Sequence, residues 1–364
     1  MVQFSDLDAI VRSREFQQKT QRSLGSSTVA LFALLHDHGR EPLDPGGTGT
    51  LVVIGRRHYI LTAAHVWDVL KSALKLGITL IDNRDHKTWI DINTIVATLV
   101  QPPGLRWSER GPDLALLRIP PVLVGGIEAF HVFEDLTAQG KMLNTPCIQS
   151  WAVMGTPQEL GTFTPHHAEV QIAAAFGDSK YLRRGEHDYY DFEVDTTSPS
   201  MPKSFGGVSG GGLWRILAYI SPETREVDWV QRLKGVAFFE LPGGEGHGTI
   251  RCHGPKSLTA ATGDRVELDM NTLADAYIRY SKKLHGEDAW AREEAAKYVR
   301  DDESRGLPLI RLLLSRAESD AIIELVAAGP LKEFLDAHGR QALARVERGA
   351  EHDQRLQLAL RRLN

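Results

Sequence analysis

The sequence has few cysteines and no long apolar run. Its 364 residues include two cysteines, Cys147 and Cys252, too few for a disulfide framework. No stretch of about 18 uncharged apolar residues occurs, which argues against a membrane-spanning helix. The start, MVQFSDLDAIVRSREFQQKT, lacks the apolar core of a secretory signal. We therefore expect a cytoplasmic protein with reduced thiols and no membrane association.

Neither sign of charge is in large excess. The chain has 42 Lys and Arg against 47 Asp and Glu, a formal net charge of −5. No basic stripe of the kind that nucleic-acid binding usually needs is present, so we expect no nucleic-acid partner. The histidines do not combine with the cysteines at the spacings of metal sites, so we expect no metal and no other cofactor. The histidines discounted in this way are His166, His167, His187, His247 and His253.

Three regions differ in their patterns. Residues 1–27 carry a short helical pattern, and residues 28–266 carry many short runs of strand character separated by Gly, Pro, Asp and Asn. Short strands at such spacing favour a barrel or sandwich over alternating βα units. Residues 267–364 show apolar side chains at helical spacing. Within them, Gly329-Pro330 is predicted to end one helix and begin the next, and Gly339 to cap the helix that follows.

Two candidate catalytic residues follow or precede predicted strands. A strand from His58 to Thr62 runs into two alanines and then His65. Alone, a histidine after a strand is more often structural than catalytic. Asp113 stands at the start of the apolar run Leu114–Leu117, where an aspartate alone most often caps a turn or begins a strand.

A third candidate, Ser209, lies in the glycine-rich segment GVSGGG at 207–212. A nucleophilic serine needs a tight turn that projects its Oγ and aims backbone N–H groups at the oxyanion of a tetrahedral intermediate. Glycine permits the backbone angles of such a turn. The alternative for this segment alone is a glycine-rich hairpin loop.

Together the three residues form a pattern that the separate motifs do not. His65, Asp113 and Ser209 occur in that order, about 48 and 96 residues apart. The segments TAAH, DLALLR and GxSGG around them resemble those of the trypsin-like serine protease family, and the upstream GTGTLV at 47–52 is similar to its bacterial intracellular members. The resemblance spans roughly residues 28–256. An α/β-hydrolase esterase does not fit, because in that fold the serine comes first.

The resemblance implies a fold and a mechanism. The fold would be mainly β, a chymotrypsin-like double barrel with six-stranded barrels at about 28–135 and 136–266, followed by an α-helical C-terminal region. Ser209 would be the nucleophile, His65 the general base and then acid, and Asp113 the orienting carboxylate. The backbone N–H groups of Gly207 and Ser209 would form the oxyanion hole.

The resemblance also implies a substrate site. Ala237, Phe238 and Phe239 would belong to the strand that pairs with an extended substrate. Lys203 would lie at the base of the specificity pocket and suit an acidic side chain; alternatively it points to solvent. Glu240, just beyond the substrate strand, would restrict or recharge that pocket.

One position departs from the digestive members of the family. There an aspartate before the serine pairs with a freshly cut N-terminus and orders the oxyanion hole. Here that position is Val208, which cannot form the ion pair. Activation by N-terminal cleavage is therefore not expected, and the active site must form by other means.

The expected function is that of a serine endopeptidase acting on a protein or peptide, regulated by a partner or signal. The alternative is a latent or inactive protease-fold module that acts by protein binding. The segment at about 284–364 is similar to an uncharacterised bacterial helical domain. It is either a stabilising appendage or a regulatory, partner-binding module.

Overall fold

The computed structural model describes twelve stretches of the chain: residues 4–34, 44–79, 87–100, 111–136, 145–164, 167–184, 187–197, 201–242, 246–262, 270–283, 290–301 and 303–363. The chain divides into two compact units. The first comprises Met1–Lys180 and Arg184–Val266, and the second Tyr181–Arg183 and Glu267–Asn364. Among the described helices, none has the length and apolar character needed to cross a bilayer.

The first unit begins with two short helices, α1 (Leu7–Val11) and α2 (Arg14–Gly25), after a 3₁₀ turn at Phe4–Asp6. The side chain of Ser13 accepts a hydrogen bond from the N–H of Phe16 and so caps α2. Buried residues at four-residue intervals along α2 give it one apolar face. The two helices contribute to a core that also contains residues of the two larger sheets of this unit.

The first sheet contains eight strands in the described residues, ordered β5-β4-β1-β2-β3-β7-β6, with β8 paired to β2. Its strands are β1 (Thr28–Leu34), β2 (Asp44–Ile54), β3 (Arg57–Thr62), β4 (Lys75–Thr79), β5 (Lys87–Asp91), β6 (Val96–Val100), β7 (Leu114–Arg118) and β8 (Glu134–Asp135). Helix α3 (Ala64–Leu70) follows β3, α4 (Pro121–Glu128) follows β7, and a 3₁₀ turn spans Ile92–Thr94. Apart from the parallel β2–β8 pair, the strand pairs along this order are antiparallel.

The second sheet is a closed six-stranded barrel in the order β12-β13-β16-β15-β14-β9. The elements of this region are β9 (Cys147–Gly155), a 3₁₀ turn (Gln158–Leu160), β10 (Thr162–Thr164), β11 (His167–Glu169), β12 (Ala173–Arg184), β13 (His187–Asp195), β14 (Gly212–Ile220), β15 (Val227–Leu241), β16 (His247–His253) and α5 (Pro255–Thr262). Strands β10 and β11 form a separate two-stranded sheet. Trp214 on β14 is fully buried and belongs to the same apolar cluster as Leu61 and Leu116 of the first sheet.

The second unit is helical. Its elements are α6 (Met270–Lys283), α7 (Trp290–Asp301), α8 (Glu303–Arg316), α9 (Asp320–Val326), a π-helical turn (Ala327–Leu331), α10 (Lys332–Ala350) and α11 (Gln354–Arg361). They enclose a core of their own, in which Phe334 is the largest fully buried side chain.

The coarse prediction, a largely β chain followed by a helical region, is confirmed. The first sheet differs from the expected six-stranded barrel, because it has eight strands in an open order among the described residues. Gly329-Pro330 lies between α9 and α10, as predicted, but Gly329 does not adopt the positive φ of a left-handed cap. The chain passes through it in the π-helical turn, where hydrogen-bond partners shift along the chain and the missing N–H of proline is tolerated. Gly339 has a φ of 65° at a kink within α10, a backbone conformation that favours glycine.

Both cysteines are free thiols. Cys252 is buried in the barrel, and burial raises the pKa of its thiol well above the ordinary value.

Candidate active site

Two of the predicted residues, His65 and Asp113, meet where β3 ends and the neighbouring strand β7 begins. Thr62 at the end of β3 pairs with Ala115 at the start of β7, so the residues just beyond these positions are neighbours. Asp113 Oδ1 accepts the backbone N–H of His65 at 2.9 Å, and Asp113 Oδ2 lies 2.5 Å from His65 Nδ1. The Asp113 side chain is 5% exposed and the His65 side chain 16%. The carboxylate therefore holds both the backbone and the ring of the histidine.

A second histidine lies behind Asp113. Nε2 of His253 is 3.0 Å from both the backbone N and the backbone O of Asp113, and its ring stacks on Phe238 with the centroids 4.1 Å apart. His253 is fully buried. Burial lowers its pKa to about 4, while the charge and backbone of Asp113 oppose that shift. His253 is therefore a neutral, packed neighbour of Asp113 near pH 7.

The third predicted residue, Ser209, is half-buried in the segment 201–211, which we call the serine loop. The backbone N–H of Thr48 donates to the carbonyl of Ser209 at 3.0 Å. The carbonyl of Thr48 in turn accepts the hydroxyl of Thr62 at 2.7 Å, three residues before His65. Strand β2 thus connects the serine loop to the segment that carries the histidine.

Two threonine hydroxyls on β2 hold the buried face of the serine loop. Thr48 Oγ1 donates to the carbonyl of Gly207 at 2.7 Å, and Thr50 Oγ1 donates to the carbonyl of Gly210 at 3.0 Å. Both threonines are fully buried. Gly210 has a φ of 93°, and a Cβ there would lie 1.9 Å from the carbonyl oxygen of Thr48, so only glycine fits at this position.

Two carboxylates hold the exposed face of the same loop. Glu159 Oε2 accepts the N–H groups of Lys203 at 2.8 Å and Ser204 at 3.0 Å. Glu240 Oε2 accepts the N–H of Phe205 at 3.0 Å and the hydroxyl of Ser204 at 3.2 Å. Both glutamates are exposed. These hydrogen bonds are charge-assisted and therefore stronger than neutral ones.

The two backbone N–H groups predicted to bind an oxyanion have no partner in the described part of the chain. The N–H groups of Gly207 and Ser209 donate no hydrogen bond there, whereas the N–H of Val208 donates to Phe205 and that of Gly210 to Ala237. Gly207 has a φ of 88°, and a Cβ there would lie 2.6 Å from the carbonyl oxygen of Thr156. The two N–H groups remain able to donate to a ligand.

The residues predicted to bind substrate are not all at the surface. Phe238 is 2% exposed and packs on Tyr189 and His253, so its side chain belongs to the core. Ala237 is also buried, and its backbone pairs with Gly210 and Gly211. Phe239 is half-buried.

Lys203, predicted at the base of a specificity pocket, is exposed. Its backbone N–H is held by Glu159, and its ammonium group forms no ion pair with the described residues.

Sequence reasoning missed the polar residues that support these groups. In the sequence, Thr48 and Thr50 stand out only as members of the segment GTGTLV at 47–52, and His253 is considered only as a metal ligand and excluded. The alternation of threonines along β2 was a usable signal, because alternate residues of a strand share one face.

Among the described residues, no group of three or more His, Cys, Asp or Glu side chains is arranged to hold a metal ion.

Residues 280–363 match the model of a family of unknown function (DUF6869). No curated protein matches the sequence. A solved structure with 13% identity and a TM-score of 0.32 covers 65% of this chain and 88% of its own; its subject is how aromatic interactions drive the coupled folding and binding of the intrinsically disordered Sesbania mosaic virus VPg protein. That TM-score is too low to indicate a shared fold. The chemistry of the β-rich unit is therefore inferred from its own residues.

Proposed function

We propose that this protein is a serine endopeptidase of the trypsin-like class, in which the open eight-stranded sheet and the closed six-stranded barrel of the first unit correspond to the two barrels of that fold. The observation that carries the proposal is the contact between His65 and Asp113, 2.5 Å from Nδ1 to Oδ2. It is supported by the hydrogen bonds that connect the loop of Ser209 to the strand pair leading into His65.

The proposed reaction is acyl transfer through Ser209. Asp113 accepts a hydrogen bond from the Nδ1–H of His65, which keeps the proton on Nδ1 and leaves Nε2 of the ring unprotonated and able to act as base. Ser209 Oγ attacks the carbonyl carbon of the substrate, and its proton passes to Nε2. The substrate oxygen becomes an oxyanion that accepts hydrogen bonds from the N–H groups of Gly207 and Ser209.

Collapse of this intermediate expels the amine, which takes the proton from His65 and leaves an ester on Ser209. Water then repeats the sequence: His65 takes a proton from it, the hydroxide adds to the ester carbon, and Ser209 leaves with the proton. The carboxylic acid product is released and the enzyme is restored.

The open edge of β15 supports a peptide as the substrate. Strand β14 begins at Gly212, which pairs with Val236. Beyond Ala237, residues 239–241 of β15 pair with β16 on one side, and no described strand pairs with the other. A free backbone edge of this kind can accept an extended peptide by main-chain hydrogen bonds.

The test is labelling of the full-length protein with a fluorophosphonate probe, with Ser209→Ala as its control. We expect covalent labelling that the Ser209→Ala variant loses completely. Asp113→Asn should slow labelling by about 10⁴-fold, because the amide nitrogen donates to Nδ1 and selects the tautomer with a protonated Nε2. A folded wild type that does not label would contradict the proposal and leave a binding role on the same fold.

A further inference from the structure

Three consecutive backbone N–H groups of the serine loop are bound by two carboxylates from different parts of the barrel region. Glu159 lies in the 3₁₀ turn after β9, and Glu240 lies near the end of β15. Glu159 binds the N–H groups of Lys203 and Ser204, and Glu240 binds that of Phe205. The loop is therefore bound by two elements that are distant from it in the sequence, at the residues four to six positions before the serine.

The same 3₁₀ turn fixes the next peptide of the loop. The backbone N–H of Gln158 donates to the carbonyl of Gly206 at 2.8 Å. The bond between Gly206 and Gly207 is trans, and in a trans peptide the carbonyl and the N–H point in opposite directions. Because the Gly206 carbonyl is directed at Gln158, the Gly207 N–H is directed away from it and stays available to a ligand.

The loop has no carboxylate of its own next to the serine. Val208 occupies that position, and its side chain is 3% exposed and packs against Gly155. An apolar side chain there can fill space but cannot accept the N–H groups of the loop. The carboxylates that accept N–H groups of this loop come from outside it, on Glu159 and Glu240.

We infer that Glu159 and Glu240 are positioning residues that hold the serine loop in its oxyanion-binding conformation, so that the site forms without N-terminal cleavage and without a partner. This inference rests on the proposed function for its catalytic consequence. Its structural part, that the two carboxylates order residues 203–207, is measurable independently of activity.

The experiment compares four full-length proteins: the wild type, Glu159→Ala/Glu240→Ala, Glu159→Gln/Glu240→Gln, and a control with the same charge change, Glu193→Ala/Glu223→Ala. Glu193 and Glu223 are exposed residues of the first unit whose side chains do not bind the serine loop. Two quantities are measured for each protein: hydrogen–deuterium exchange of peptides covering 203–209, and the second-order rate of fluorophosphonate labelling.

We expect the alanine pair to lose protection at the N–H groups of residues 203–205 and to label about 10²-fold more slowly, the effect of losing one oxyanion donor. The glutamine pair keeps an acceptor oxygen on each side chain and should recover most of both quantities. The control pair should match the wild type.

Two outcomes separate this inference from the proposed function. If the alanine pair retains both the protection and the labelling rate of the wild type, the two glutamates do not position the loop and the inference is wrong. If the wild type does not label while exchange responds to the alanine pair as expected, the glutamates do order the loop, and it is the endopeptidase proposal that fails.

Discussion

The serine loop is held on two faces by different chemistry. On the buried face, the hydroxyls of Thr48 and Thr50, both fully buried, donate to loop carbonyls. On the exposed face, the carboxylates of Glu159 and Glu240 accept loop N–H groups. Each face makes a small number of hydrogen bonds to the same short segment.

The difference between the faces is what replaces a lost hydrogen bond. On the buried face the two threonine hydroxyls are shielded from water, so a removed donor leaves a buried or half-buried carbonyl unsatisfied, at a cost of about 1–3 kcal/mol. On the exposed face water competes for the same N–H groups, so the loss of an acceptor there costs less, although charge strengthens the bonds that the carboxylates make. The buried threonine hydroxyls therefore contribute mainly to the free energy of unfolding. The exposed carboxylates contribute little to it and instead set the position of the serine loop.

Removal of the Thr48 hydroxyl gives the largest expected effect on stability. The Thr48 hydroxyl donates to the carbonyl of Gly207 and accepts the N–H of Thr156 at 2.9 Å. Thr48 and Thr156 are buried, and Gly207 is half-buried. Thr48→Val preserves shape but leaves two backbone groups without partners. We expect the free energy of unfolding in urea to fall by about 2–5 kcal/mol.

Thr50→Val is the matched control, because Thr50 makes one such bond, to Gly210. It should lose about half as much as Thr48→Val. If the two variants lose equal free energies of unfolding, or if Thr48→Val loses none, Thr48 is not the main hydrogen-bonding contact between β2 and the serine loop.

The buried neighbourhood of Asp113 gives the next effect, which depends on pH. Burial lowers the pKa of His253 to about 4, against about 6.5 in an unfolded chain. Between these two values the unfolded state binds a proton that the folded state does not, so stability falls as the pH falls from 6.5 towards 4. From pH 7 to pH 5 this one residue should remove about 2 kcal/mol.

His253→Gln is the variant that tests this pH dependence, since it removes the titrating group and keeps hydrogen-bonding capacity near Asp113. We expect its unfolding free energy to fall less than that of the wild type between pH 7 and pH 5. His131, whose pKa is also lowered by burial, is present in both proteins and cancels in the comparison. Parallel pH profiles for the two proteins would show that His253 does not carry this dependence.

The sequence alone was sufficient for features that depend on local patterns. The strand leading to His65, the strand after Asp113 and the glycine turn at Ser209 were each predicted from a few adjacent residues, because short apolar runs and glycine clusters are local signals. The change from strand-like runs to apolar residues at helical spacing, at about residue 267, was visible for the same reason.

The sequence could not supply the pairings between distant segments. Thr48 and Gly207 are 159 positions apart, and His253 and Asp113 are 140 apart. No local pattern encodes such contacts; they follow from the register of the sheets. The π-helical turn that joins α9 to α10 through Gly329-Pro330 was not predicted, because glycine and proline locally favour a break, whereas the chain stays helical there with Pro330 buried.

The smallest expected effect comes from the exposed face, and it is the sharpest test of the comparison. Ser204→Ala removes one hydroxyl, the same kind of group that Thr48→Val removes. The Ser204 oxygen accepts the N–H of Gly206 and donates to Glu240, each at 3.2 Å, but the residue is exposed. Water can therefore satisfy both partners, and we expect a loss of no more than about 0.5 kcal/mol in urea unfolding.

The Thr48 and Ser204 hydroxyls both form hydrogen bonds to the serine loop, but Thr48 is buried and Ser204 is exposed. The ratio of the two losses in unfolding free energy therefore reports the effect of burial rather than the number of hydrogen bonds. If Ser204→Ala costs as much as Thr48→Val, the exposed face is as important to stability as the buried one. The two glutamates would then act on the whole fold, and slower labelling of their alanine variants would report unfolding instead of loop position. A small loss at Ser204 keeps the two effects separate, because the loop can then shift without destabilising the barrel beneath it.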